Sequence, residues 1–176
     1  KREKPRGSWL VNRRKVNGRK RARSIGLILP RSLDSIETNN ILMVDELRRI
    51  VYGRGYALSL YESRSSALGI FYRFVRNVMA KNHHDCWILL TSTAEIQEWL
   101  ARQDIPVVLA ATRYPGIILP SVDIDHRALC RHAVGQMVLK GHTRLALLLP
   151  KNARAGDIES RLGFQEGVAS TRQVLP

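Results

Sequence analysis

Asp123-Ile124-Asp125 sets two carboxylates two residues apart, so that in an extended segment both fall on one face, where they could orient a ligand or share a proton. No glycine turn or distal glutamate completes a calcium loop around them, and no partner for acid–base work stands at a readable spacing. The pattern therefore points to structural or ligand-orienting aspartates. The histidines add no metal site: His83 and His84 are adjacent and diverge, while His126 and His132 lie six apart and miss a common helical face. The apolar run 25–29 is followed by Pro30-Arg31-Ser32, where a dinucleotide or phosphate-binding loop would need glycines, and a G-x-S-x-G nucleophile elbow is absent. These absences favour a binding module over an enzyme, and no cofactor is expected.

The remaining polar chemistry sits in loops, which the surrounding elements must position. From Ser24 onward short apolar runs alternate with stretches of helical period, the rhythm of a parallel sheet with crossover helices. Strands are expected at 25–29, 56–61, 86–90, 105–111, 122–125 and 145–149. Helices are expected at 39–52, 65–81, 94–102, 126–140 and 158–169. In the first helix Met43, Val44, Leu47, Ile50 and Val51 share a face, with Arg48 and Arg49 on the other. In the second, Leu68, Phe71, Val75, Val78 and Met79 do so, and the fourth should bury Cys130, Val134, Met137 and Val138 before Gly141 stops it. Open sheets of this kind bind ligands outside the carboxyl ends of their strands. The candidate ligand residues are accordingly Asp34 and Ser35 after the first strand, Thr91 and Ser92 after the third, Arg113 after the fourth, and Asp125 after the fifth.

Composition sets the outer limits. The 176 residues are 44% hydrophobic and 6% aromatic, enough for an ordinary core in one domain or in part of a two-lobed one. No apolar run approaches the roughly 18 residues of a membrane helix, and Lys1-Arg2-Glu3-Lys4-Pro5 lacks the hydrophobic stretch of an export signal, so a cytoplasmic protein without membrane contact is expected. Two cysteines, Cys86 and Cys130, form no disulfide framework and suit a reducing compartment. The net charge of +14 is uneven: residues 1–23 carry 11 Lys and Arg against one acid, Glu3. Arg13, Arg14, Lys15, Arg19, Lys20 and Arg21 make a dense cationic arm, which reads either as a solvated tail or as a segment drawn to DNA phosphates by counterion release.

Six segments occur in a recognisable order: Ser24-Ile25-Gly26-Leu27-Ile28-Leu29-Pro30, Arg54-Gly55-Tyr56, Ile105-Pro106-Val107-Val108, Ser121-Val122-Asp123-Ile124-Asp125, Gly141-His142-Thr143-Arg144-Leu145-Ala146, and Arg161-Leu162-Gly163-Phe164-Gln165-Glu166-Gly167. Together they resemble the ligand-sensing domain of the LacI/GalR family of bacterial transcription regulators, which is itself similar to periplasmic sugar-binding proteins. The resemblance implies two α/β lobes with a small effector, commonly a sugar or nucleobase, held between them, and a homodimer acting on DNA. It implies a first lobe over 24–142 and the start of a second over 143–176, the second lacking the strands and helices that complete it in the family. Asp125 matches the aspartate of the family's strand-end V-x-V-D-N, with His126 in place of Asn. Arg161 lies one position from the family's effector-binding arginine, a shift of about 100° around a helix. The loop after Pro30 is longer than usual and lacks the family's Asn-Pro-Phe-Phe. Before Ser24 the family pattern fails, and Arg6-Gly7-Ser8-Trp9-Leu10-Val11 looks like the closing wing strand of a GntR-type winged helix. On that resemblance, 1–23 is a basic linker or the end of a missing DNA-binding domain. The alternatives are a solute-binding receptor with no DNA role and a small α/β enzyme.

Overall fold

The computed structural model describes residues 23–36, 38–65, 67–151 and 154–172. Its centre is β1 (Ser24–Leu29), an apolar run that suits a strand covered on both faces. β2 (Ala57–Glu62) lies on one side of it and β3 (Cys86–Leu89) on the other, with β4 (Val107–Leu109) beyond β3, giving the parallel order β2-β1-β3-β4. The expected α/β class, a parallel sheet with flanking helices, is what forms.

Alternation along β1 divides the core between two layers. Ile28 packs with Phe71, Val75 and Met79 of α2 (Leu68–Lys81) and with Ile96 and Leu100 of α3 (Ala94–Ala101). Leu27 and Leu29 join Leu58 and, from α1 (Thr38–Gly53), Val44 and Val51 on the other side. The chain runs outward through α1 to β2, then crosses back through α2 to β3. The strand order thus reverses direction at β1, and a crevice opens between loops at the carboxyl ends. Gly26 stands opposite Trp87 in the register, and a Cβ there would overlap the indole ring and approach His84 Cδ2 at 2.8 Å. That space is needed because His84 is fixed above the ring, its Nε2 2.8 Å from Tyr61 Oη and its Nδ1 2.9 Å from Ser24 Oγ.

The rest of the described chain is a helix pair. α4 (His126–Leu139) packs on α5 (Ala155–Arg172), and the glycines of the 161–167 motif make that contact close. A Cβ on Gly163 would overlap the Arg127 carbonyl oxygen, and one on Gly167 would lie 2.7 Å from Val134 Cβ. Gly141 ends α4 in a left-handed conformation, φ 86°, that favours glycine.

Several expectations need correction here. The 145–149 run forms no strand: its side chains alternate between half-buried and exposed, but among the described residues no neighbouring strand completes its ladder, and Leu148 is 92% exposed. The 122–125 strand shrinks to a single parallel bridge between Leu109 and Ser121, closed by Val122 N–H donating to Leu109 O at 2.8 Å. Of the four residues expected to be buried on α4, only Val134 is: Cys130 and Val138 are half-buried and Met137 is exposed, because α5 covers one narrow stripe of the helix. The expected face of α1 is likewise only partly covered, with Val44 and Val51 buried and Met43 and Ile50 exposed. Among the described residues no helix is long and apolar enough to cross a membrane.

Candidate functional site

Among the described residues, two cavities lie near the carboxyl ends of the strands. The larger, about 450 Å³, lies where the loop after β4 and the 121–127 segment meet α5; Arg113, Asp123, Asp125, His126 and Glu159 are among its lining residues. Asp123 organises it. One carboxylate oxygen accepts from Thr112 Oγ1 and faces His126 Nε2 at 3.5 Å; the other accepts from Ile124 N–H at 2.8 Å. Asp125 caps α4, its Oδ1 accepting from Ala128 N–H at 2.9 Å, which satisfies one of the orphan donors at a helix start. Gly156, in the first turn of α5, lies against His126 and Thr112: a Cβ there would be 3.0 Å from the imidazole and 3.2 Å from the hydroxyl. The start of α5 is thereby held against this wall. The Arg113 guanidinium reaches back to the Ile117 carbonyl at 3.4 Å. Chemically the site offers guanidinium donors beside carboxylate acceptors, a set suited to a ligand that both donates and accepts, as a polyhydroxyl compound does.

The second cavity, about 300 Å³, is lined by Arg31, Ser32, Ser35, Ser63, Arg64 and Ser65, at the ends of β1 and β2. Asp34 stands next to it on the short 3-10 turn Leu33–Ser35, accepting from Ser35 Oγ at 3.2 Å. The Ser32 and Ser35 hydroxyls hold its carboxyl below the usual carboxylate range.

The other candidates are dispersed. Ser92 is buried, and its Oγ accepts from Gln97 Nε2 at 3.0 Å. Gln97 is fully buried and also donates to the Thr112 carbonyl and accepts from Tyr114 N–H, tying the loop after β3 to the loop after β4. Thr91 Oγ1 accepts from Arg154 Nη1 at 3.2 Å, a contact between the sheet loops and the approach to α5. Arg161 is exposed and lines neither cavity. Gly163 and Gly167 face α4, and at about 100° per residue Arg161 falls on the far side of α5. Arg13, Arg14, Lys15, Arg19, Lys20 and Arg21 lie outside the described residues. The structure thus brings Arg113 and Asp125 to one cavity and Ser35 to the other, leaving Thr91, Ser92 and Arg161 outside both.

Gln97 and the hub role of Asp123 were not singled out from sequence, whereas Arg31 and Arg64 were legible as polar residues of strand-end loops that could line a cleft. A buried glutamine on an otherwise ordinary helix leaves no signal. Among the described residues no group of His, Cys, Asp or Glu is placed to hold a metal ion.

No protein-family model matches the chain, and no curated sequence matches it. Solved structures do. A transcription regulator like protein from Staphylococcus haemolyticus superposes with TM-score 0.70 at 21% identity, over 85% of this chain and 57% of its own. A LacI family transcriptional regulator from Mycobacterium smegmatis gives 0.68 at 19% identity, over 84% and 52%. The transcriptional regulator CelR in complex with cellobiose gives 0.66 at 20%, over 85% and 46%. At such identities the likeness establishes the fold, that of the periplasmic-binding-protein-like domain of LacI-type regulators. The chain spans about half the length of these proteins.

Proposed function

We propose that this chain is the effector-sensing part of a DNA-binding transcription regulator, taking a small metabolite of the sugar class where the sheet loops meet the α4–α5 pair. One observation carries this reading: the 450 Å³ cavity draws its wall from both parts of the molecule, with Arg113 beside the sheet, Asp123 and Asp125 on the connecting segment, and Glu159 on α5. A ligand there would touch both parts at once, so its binding free energy depends on how they are arranged. That is the requirement for a metabolite to shift a conformational equilibrium. The shared fold supports the reading, and the cellobiose held by one structural neighbour supports a sugar.

On this reading α4 and α5 respond together, since they pack on each other. Asp125 would then serve twice, capping α4 and presenting its second oxygen to the ligand. The cationic residues 1–23 would lead into a reader of winged-helix type and contact DNA phosphates without sequence preference, with Kd on the order of 10⁻⁴ to 10⁻⁶ M for the arm alone. A homodimer would use α1, whose Met43 and Ile50 are exposed apolar residues. The proposal includes a cytoplasmic location and no catalytic role.

Fluorescence anisotropy of a labelled duplex with the full-length gene product, over a salt series and with sugars added, tests the reading. A metabolite that changes DNA affinity by about 5- to 150-fold is expected. Sequence-independent binding that no metabolite alters overturns it, as does turnover of any metabolite.

A further inference from the structure

The three helices that flank the sheet differ in how their charges are met. On α1, Arg48 and Arg49 each pair with an acid three residues earlier, Asp45 and Glu46, and on α3 Arg102 faces Glu98 at 3.9 Å. α2 has no acid along its length, and its Arg73, Arg76 and Lys81 are all exposed. Among the described residues none of these three forms an ion pair. The acid that follows, Asp85, accepts from Ser24 N–H at 2.7 Å. We propose that the outward face of α2 is a docking surface for an acidic amphipathic segment of a partner protein.

Helical spacing builds this face. At about 100° per residue, Ile70, Arg73, Phe74, Asn77 and Lys81 fall in one stripe turned away from the buried Phe71, Val75 and Met79. The stripe is not purely polar: Ile70 is 48% exposed, and Phe74, one turn on, is half-buried with its ring centroid 6.4 Å from that of Phe71. Arg76 lies on the flank toward α3, its guanidinium 5.5 Å from the Tyr72 ring centroid and 5.8 Å from that of Trp99. The two rings meet edge to face and restrict the cation, so less rotamer freedom is lost when a carboxylate arrives. Arg73 is steadied by its own helix, its Nε donating to the Gly69 carbonyl at 3.3 Å. Arginines and aromatic rings around an apolar anchor are the composition that protein interfaces favour.

Charge selects the occupant. The complement of a cationic face with an apolar anchor is a set of carboxylates around an apolar residue, which an acidic amphipathic helix supplies. A second copy of this chain is a poorer complement, because Asp45 and Glu46 of α1 are held by Arg48 and Arg49, and Glu159 and Glu166 of α5 by Arg127. Nucleic acid is poorer too. Arg76 already lies over Tyr72 and Trp99, where a base would stack, and phosphates gain nothing from Ile70.

The test is an NMR titration of the ¹⁵N-labelled 176-residue chain with a short synthetic helical peptide, leucines along one face and glutamates elsewhere. Reading the signals residue by residue separates binding at α2 from attraction to the cationic residues 1–23. Amides of residues 70–81 are expected to move and to saturate with Kd of about 100 μM or tighter. Reversing both charges, Arg73→Glu with Arg76→Glu, should weaken this binding about tenfold or more, and Ile70→Ala about threefold or more. Lys140→Gln, on α4, should leave it unchanged. These positions are exposed, and undisturbed amide signals in β1 and β3 verify that each variant folds. The proposal is overturned by signals at 70–81 that stay still, that answer a scrambled peptide or a DNA duplex as strongly, or that are indifferent to the charge reversal or to Ile70→Ala. Shifts at 70–81 that grow with protein concentration alone place a second copy there and overturn it as well. No sugar and no regulatory DNA site enters these readouts, so the regulator reading stands or falls separately.

Discussion

The sheet and the α4–α5 pair are stabilised in different ways. The sheet buries Leu27, Ile28 and Leu29 between α1 on one face and α2 with α3 on the other, a two-sided core filled with Phe71, Val75, Trp87 and Leu109. The helix pair has little of this. Its buried apolar residues are Val134 and Ala155, while Leu129, Met137 and Leu139 are exposed. What joins it is close backbone approach at Gly163 and Gly167, with a surface ion-pair group in which Glu166 accepts from Arg127 Nε at 2.9 Å and faces Arg131 Nη1 at 3.5 Å. Hydrophobic burial scales with area removed from water, and exposed ion pairs contribute little. One part is therefore held by buried apolar area, and the other mainly by close backbone packing and exposed ion pairs.

The largest expected effect tests the apolar core of the sheet. Phe71→Ala removes a ring that is 2% exposed and should cost about 3–5 kcal/mol in urea unfolding. Met137→Ala, on the uncovered side of α4, should change stability by no more than about 0.5 kcal/mol. Equal losses would erase the distinction between the two parts. Next, Gly163→Val forces α5 off the Arg127 backbone, at a cost of about 1–3 kcal/mol. Hydrogen exchange should then accelerate in α4 and α5 while β1 and β3 keep their protection, and acceleration throughout would mean the parts unfold as one.

A smaller effect probes the seam between the sheet loops. Gln97→Leu leaves the Thr112 carbonyl and the Tyr114 N–H without their partner, about 1–3 kcal/mol, and should displace the loop that carries Arg113. Unchanged amide shifts at 112–114 would show that Gln97 does not hold that loop. The smallest effect is a pH response. The hydrogen bond from Arg127, aided by the charges of Arg127 and Arg131, holds Glu166 below its ordinary value of 4.5. A depressed folded-state pKa stabilises above the unfolded value, and that contribution is lost as pH falls through the folded one. Exchange in α4 and α5 should rise on acidification below pH 4.5, and Glu166→Gln should abolish that rise without altering the sheet.

These contrasts also explain what could be read without coordinates. The run at 25–29, the helical face of 65–81 and the helix at 94–102 were legible because burial on a two-sided sheet imposes periods of 2 and 3.6 on the residues themselves. The 145–149 run carries the same signature, yet a strand exists only where a neighbour completes its ladder, and no periodicity within a segment reports that. Met137 was misjudged for a related reason: an apolar residue on a helix records a tendency to be covered, while of the four expected residues only Val134 is fully covered. In the site, the strand-end position of Arg113 and Asp125 followed from topology. The polar network did not. Gln97 and Ser92 are buried together, and a residue that satisfies its hydrogen bonds inside the protein has the same letter as one that faces water.

The central claim is that a metabolite binds where the two parts meet. Its most direct test is hydrogen exchange on the 176-residue chain against a panel of mono- and disaccharides and their phosphate monoesters. The account predicts that at least one compound slows exchange together in residues 112–127 and in the first turns of α5. A compound that binds but protects only one of the two parts, or a panel that protects neither, would contradict it.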